Sequence, residues 1–154
     1  MTRDQIRAAI SPQTALVCTL LGEAAGELID GQVAVACVIR NRATHPRWWG
    51  KDVKGVCLAK AQFSCWWEPG QNSDRVYALA AALHTGQAAT GSRSTVGQLQ
   101  WIAAGVLDDV LLDNTGGADH YITSDLLKRN PPAWAMGQRI VRRVGAHVFF
   151  RLEL

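Results

Sequence analysis

No dense run of lysine or arginine occurs in this 154-residue chain, and 16 basic against 13 acidic residues leave a net charge of only +3. That balance does not indicate a nucleic-acid groove, although it allows weak attraction to an anionic polymer. A long hydrophobic run is missing too. The longest early one, Ala15 to Leu21, contains Thr19 and stops at Gly22-Glu23. It is too short to span a membrane and lacks the shape of a secretory signal. The expectation is therefore a protein made in the cytosol, without stable membrane insertion, that needs another agent to release it toward any outside target. No Cys-x-x-Cys or His-x-x-x-His spacing is present, so no metal or other cofactor is expected. Internal repeats, low-complexity tracts and long linkers are also absent, which points to one domain over residues 1–154; a monomer is the expectation, with no residue pattern that fixes oligomeric state.

What is present suits an ordinary core: 48% of residues are hydrophobic and 19% charged. Among the four cysteines, Cys18 and Cys37 sit in apolar segments and behave as small hydrophobes, while Cys57 and Cys65 flank a loop and could pair in an oxidising compartment. Thr2 to Ile10 reads as a short helix. Ser11-Pro12 restarts the chain as N-cap and first helical residue, predicting a helix to about Glu27. Gly22 and Gly26 within it cost about 1 kcal/mol each against alanine, which suggests close packing against the backbone. Asp30-Gly31 introduces a helix from Gln32 to about Arg42, ended by His45-Pro46. An irregular stretch from Arg47 to Gly70 holds Trp48, Trp49, Trp66 and Trp67, four of the six tryptophans. Ser73 is expected to cap a helix through His84, followed by a Gly/Ser/Thr-rich connection from Thr85 to Arg93. Ser94 to about Asp108 reads as a helix that exposes Gln98 and Gln100 and buries Leu99, Ile102, Val106 and Leu107. Ala118 to Thr123 reads as a strand, and Arg139 to Val144 with His147 to Leu152 as a hairpin turning at Gly145-Ala146. The fold class is α+β, mainly helical, with a small late antiparallel sheet.

One segment stands out chemically. In Gly22-Glu23-Ala24-Ala25-Gly26-Glu27, the two carboxylates fall on the helical stripe of Leu16 and Leu20, which should face the core. Poor hydration and a like charge one turn away both favour a proton-bearing carboxyl, as a general acid requires. An exposed glutamate pair at a frayed helix end fits the same spacing equally well.

The order of several motifs carries further information. Gly22-Glu23-Ala24-x-Gly26-Glu27 is followed by Gly31-Gln32-Val33-Ala34-Val35-Ala36 and Asn41-Arg42. Then come Gln62-Phe63-Ser64, Thr115-x-Gly117-Ala118-x-His120-Tyr121, Pro132-x-Trp134-Ala135 and Gly145-x-His147-x-Phe149. From about Leu16 to Phe150 the chain resembles the cell-wall hydrolase family typified by germination-specific spore cortex-lytic enzymes and found also among phage lysins. The resemblance implies a lysozyme-like or lytic-transglycosylase-like fold and cleavage of peptidoglycan glycan strands by one catalytic glutamate, which maps onto Glu23. Two positions depart from the family. Asp119 stands where a hydroxyl residue precedes the His-Tyr pair, and Cys65 separates Ser64 from the tryptophan Trp66.

Breaking the bond between N-acetylmuramic acid and N-acetylglucosamine needs a proton on the departing oxygen. Glu23 is the expected donor, with Glu27 holding it in place or raising its pKa. Exchanging the two roles leaves the stripe unchanged, and only the resemblance prefers Glu23. No second carboxylate is clearly placed, which favours transglycosylation to a 1,6-anhydro end over hydrolysis; Asp119 is the exception to weigh. Gln62, Phe63, Ser64 and Trp66 are expected to bind sugar, since amides and hydroxyls suit N-acetyl and hydroxyl groups and aromatic faces suit ring faces. For any single tryptophan, though, a place in the core is the default. His120 and Tyr121 should point to opposite faces of a strand. Tyr121 is assigned to the cleft beside Glu23, and His120 and Asp119 are candidate substrate contacts. His147 reads as structural, while His45 and His84 end elements. A non-catalytic carbohydrate-binding module is the competing class, suggested by six tryptophans and mild positive charge. A metal-dependent amidase would need convergent His and Asp ligands that the sequence does not display.

Overall fold

Side-chain caps start the first two helices where the sequence places them. In the computed structural model, which describes residues 1–87 and 95–152, α1 (Arg3–Ala9) opens on a reciprocal capping box between Thr2 and Gln5. Helix α2 (Pro12–Ala24) opens on Ser11, whose hydroxyl accepts from the Thr14 N–H. It stops at Ala24, three residues short of the expected end, so Glu27 is not on its stripe. Helix α3 (Ile29–Thr44) starts earlier than expected, which puts Asp30 and Gly31 inside its first turn, where the acidic side chain suits the helix dipole. The irregular stretch contains two short helices, α4 (Val53–Leu58) and α5 (Ser64–Trp67). Gly70, not Ser73, precedes α6 (Gln71–His84); Ser73 is buried and accepts from the Arg3 guanidinium. Most of the expected connection, 88–93, and the expected cap Ser94 lie outside the described residues. In α7 (Thr95–Leu107), Gln98 is half-buried rather than exposed and donates to Gln32.

Two helices form the centre. Residues 15–20 of α2 and 31–39 of α3 are buried on every side, the mark of a core helix rather than an amphipathic one. Helix α2 packs against α3, α4, α5, α6 and α7. All four cysteines are buried and free, so Cys57 and Cys65 do not pair; burial pushes the Cys18 and Cys57 thiols up to about 12.

The last third of the chain adds β1 (His120–Thr123), α8 (Ser124–Arg129), a 3-10 turn at Ala133–Ala135, β2 (Ile140–Val144) and β3 (His147–Phe150). Helix α8 was not expected; Thr123 ends the strand and caps it by accepting from the Leu126 N–H. The strands form an antiparallel sheet in the order β1-β3-β2, with His120 opposite Phe150 and Tyr121 opposite Phe149. Phe149 packs with Ala34 and Val38 of α3, while Val148 and Phe150 pack with Ile122 and Ala135. The sheet is thus sealed onto α3 on one side and onto the 3-10 segment on the other.

Of the two glycines near the end of α2, only Gly22 is closely packed; nothing lies within 4 Å of a side chain at Gly26. A Cβ on Gly22 would stand 2.4 Å from Cys65 Cβ and 2.6 Å from its sulfur. Gly22→Ala should therefore lower stability by about 1–3 kcal/mol through overpacking, despite the better helix propensity of alanine. Urea denaturation measures this, and a variant as stable as the wild type would show that α5 yields freely.

Candidate active site

Helix α2 leaves the core at Leu21-Gly22-Glu23, all three half-buried. Glu23 emerges at the base of a trough of about 550 Å³ lined also by Arg42, Gln62, Phe63, His120 and Tyr121. Trp48, Trp134, Ala61 and Leu152 complete its wall. A side hollow of about 350 Å³ shares Glu23, Ala61 and Gln62 with the trough and adds Lys60, Ser64, Trp67 and Glu68. Glu23 therefore stands where two hollows meet.

The electrostatics follow from that position. Burial pushes the Glu23 carboxyl above the ordinary carboxylate range, and the nearby charge of Glu68 pushes the same way. Hydrogen bonds from the Tyr121 hydroxyl, 3.4 Å from Oε2, and from the Cys65 thiol oppose the shift without reversing it. Burial and the Glu23 charge hold Tyr121 well above its usual value, so it remains a phenol and a donor. A carboxyl of this kind can give a proton to a group lying in the trough and take one back.

Glu27 takes no part in that environment. It lies in the bend after α2, its Oε1 3.0 Å from Nδ1 of buried His147, and it lines a different cavity. Glu68 supplies the like charge expected of Glu27. Burial lowers His147 below the usual histidine range in spite of Glu27, so the ring is neutral near pH 7. Its edge meets the Tyr121 ring at 5.1 Å, which makes His147 packing for that tyrosine.

The strand argument, which admitted only one of His120 and Tyr121 to the cleft, does not hold: both line the trough, because His120 opens β1 at the sheet's end. The His120 ring lies 4.9 Å from Trp134 and 6.2 Å from Trp48. Its Nδ1 meets Asp119, and that carboxylate also accepts from the Leu152 N–H. Asp119 is fully buried and away from the trough, so it supports His120 and cannot touch a ligand there. Trp66 is likewise core: 1% exposed, it donates to Thr19 and stacks edge-on against Tyr77. Phe63 and Gln62 line the trough, Gln62 accepting from Arg42, and Ser64 lines the side hollow.

Sequence reasoning passed over Arg42, Trp48, Trp134, Glu68 and Ala61. Arg42 is buried and donates from Nε to the Asp119 carbonyl at 2.7 Å, tying α3 to the start of β1; it belonged to a quoted motif but was given no role. Trp48 is 62% and Trp134 36% exposed, the signature of rim aromatics that only coordinates separate from core ones. Ala61 has φ +64°, a left-handed conformation rare for a residue with a Cβ, on the wall between the two hollows. An alanine carries no local signal for that.

No curated protein matches the chain in sequence. Two solved structures resemble it. The catalytic domain of the germination-specific lytic transglycosylase SleB from Bacillus anthracis has 24% identity and a TM-score of 0.60, covering 91% of this chain and 93% of that one. The catalytic domain of the Bacillus cereus SleB protein has 24% identity and a TM-score of 0.58, covering 91% and 89%. The shared fold is lysozyme-like. Residues 26–150 match the Cell Wall Hydrolase family, a stretch that holds every residue of the trough except Glu23 and Leu152. On that match, the chain belongs to the cell wall hydrolase family.

Proposed function

We propose that the protein cleaves the glycan strand of peptidoglycan between N-acetylmuramic acid and N-acetylglucosamine, with Glu23 as general acid and then base. The observation that carries this reading is a half-buried carboxyl, raised in pKa and met by Tyr121, at the junction of two hollows with aromatic and amide walls. Protonated Glu23 gives its proton to the bridging oxygen as the C1–O bond breaks and positive charge grows on the sugar ring. The 6-hydroxyl of the same muramic residue then closes on C1, and the Glu23 carboxylate takes its proton. The products are a 1,6-anhydro end and a free 4-hydroxyl, with no water consumed. The SleB structures, one of them the catalytic domain of a lytic transglycosylase, support this route by likeness of fold. Action as a monomer belongs to the same proposal. The phage-lysin setting belongs to the same proposal and rests on the family resemblance.

Hydrolysis is the second reading, favoured by Glu68, a carboxylate in the side hollow close enough to act on Glu23. Mass spectrometry of digested peptidoglycan separates the two, since an anhydro-muramic end is one water lighter than a reducing one. Glu23→Gln should cut turnover by about 10²–10⁴-fold while binding to purified walls persists. Full activity in that variant would refute the assignment of Glu23, and wall binding without any wild-type lysis would mark a carbohydrate-binding module.

Because Glu23 must carry a proton to act, activity should fall as pH rises through its elevated pKa. Tyr121→Phe removes a bond that favours the ionised form, so the alkaline limb should move to higher pH while turnover drops. Glu68→Gln removes a like charge, so the limb should move to lower pH. Limbs that move together, or not at all, would show that another group is being titrated. Stability obeys the same sign. The folded state favours protonated Glu23, so its contribution is present below the ordinary carboxyl pKa and is lost as pH rises through the raised one. In thermal melts, Glu23→Gln should exceed the wild type in Tm near pH 8 and match it near pH 3.

A further inference from the structure

Between Leu126 and Leu152 the chain carries Lys128, Arg129, Arg139, Arg142, Arg143 and Arg151 and no acidic residue. Three of these, Arg139, Arg142 and Arg151, meet Gly116, Gln138 and Val141 around a cavity of about 420 Å³. All three are exposed, and among the described residues none of them forms an ion pair. Arg142 lies against Gly116 and Arg151 against Gly117, at 3.7 and 3.5 Å from where a Cβ would stand, so both side chains rest on the same turn. Arg142 donates one N–H to the Val141 carbonyl, and guanidinium groups that converge on a cavity without a carboxylate partner among the described residues suit a planar, delocalised anion that accepts two hydrogen bonds at once.

The cavity is separated from the trough by very little chain. Leu152 lines the trough and Arg151 the cationic cavity; Trp134 lines the trough and Gln138, four residues on, the cavity. A polymer lying in the trough can therefore place a side branch there. Resting on the glycan-cleaving reading above, we propose that this cavity binds a free carboxylate of the peptide stem borne by the muramic residues of the strand being cut. The adjacency favours the stem over a phosphodiester polymer, because the stem is borne by the muramic residue that the trough itself holds, whereas a phosphodiester on that residue's 6-hydroxyl would block the proposed ring closure. The site selects strands that still carry peptides and fixes their register over Glu23.

The double variant Arg139→Ala/Arg151→Ala, compared with Arg139→Lys/Arg151→Lys, tests this on peptide-bearing strands and on the same strands stripped of peptide. The alanine variant should lose about tenfold in kcat/KM on peptide-bearing strands, chiefly through KM, and nothing on stripped strands, with the lysine variant in between. Equal loss on both substrates, or no loss on either, would overturn the proposal. Titration of the free stem tetrapeptide by NMR should shift the Arg151 and Gly117 amides in the wild type and in Glu23→Gln, but not in the alanine variant. Shifts caused by teichoic acid and not by the tetrapeptide would overturn it in favour of a phosphodiester partner. Because that titration needs no turnover, it decides this site even if wild-type protein cuts no glycan and the parent reading falls.

Discussion

Everything at the candidate site depends on where α2 stops being core. From Ala15 to Leu20 the helix is enclosed, and at Gly22 the Cys65 side chain comes so close that no Cβ fits between them. That contact sets the spacing of α2 and α5 and brings Glu23 out at the floor of the trough instead of into open solvent. Desolvation then dominates. The Tyr121 hydroxyl, at 3.4 Å, is a long hydrogen bond, and neither it nor the Cys65 thiol offsets burial reinforced by Glu68. A carboxyl with a surplus of short donors would instead ionise, as Asp113 does: burial pushes it up, but Thr115, Asn41 and Gly117 hold it below the usual range. Two acidic side chains of one fold are thereby driven in opposite directions by the balance of burial against the donors they meet.

The sheet supplies the opposite wall. Its first residue, His120, is held by the buried Asp119 carboxylate from below and by Trp48, Trp49 and Trp134 around its ring. Burying Asp119 completely is tolerable because His120 Nδ1 and the Leu152 N–H approach its Oδ1. Arg42 adds a bond from α3 to the Asp119 carbonyl, so helix core and sheet are joined at the point where the trough needs a fixed aromatic rim. A side chain that never touches a ligand thus decides the orientation of one that lines the trough.

Local chemistry made much of this legible. Ser11-Pro12, Thr2 and the turn at Gly145 place their elements correctly, since caps and turns act over three or four residues. The all-apolar run 33–39 was rightly given to a helix by its length. What failed is whatever depends on distant packing. The stripe argument reached the carboxyl that lines the trough, but for an incomplete reason: residues 15–20 of α2 are buried on all faces, so no apolar stripe distinguishes Glu23, and Glu27 lies beyond the helix end. Glu68 comes close only through the short α5, which no periodicity announces. Trp66 and Trp134 are chemically alike in the sequence. Only the fold buries one against Thr19 and leaves the other on the rim.

The absence of a second carboxylate in the trough has a physical consequence for the reaction. An external water must be held and deprotonated opposite the departing oxygen, which asks the protein for another acidic group on that face. Among the residues lining the trough, Glu23 is the one acidic side chain, and Glu68 belongs to the side hollow. A hydroxyl on the substrate itself needs no such help. Well-oriented intramolecular nucleophiles act at effective concentrations of about 10⁵–10⁸ M, which frees the fold from building a water site. One carboxyl that gives a proton and recovers one is then sufficient, provided its pKa lies high enough to hold the proton at the start. In the proposed reaction the burial of Glu23 meets that condition, and the aromatic rim of Trp48 and Trp134 is the surface offered to a sugar ring whose own hydroxyl attacks C1.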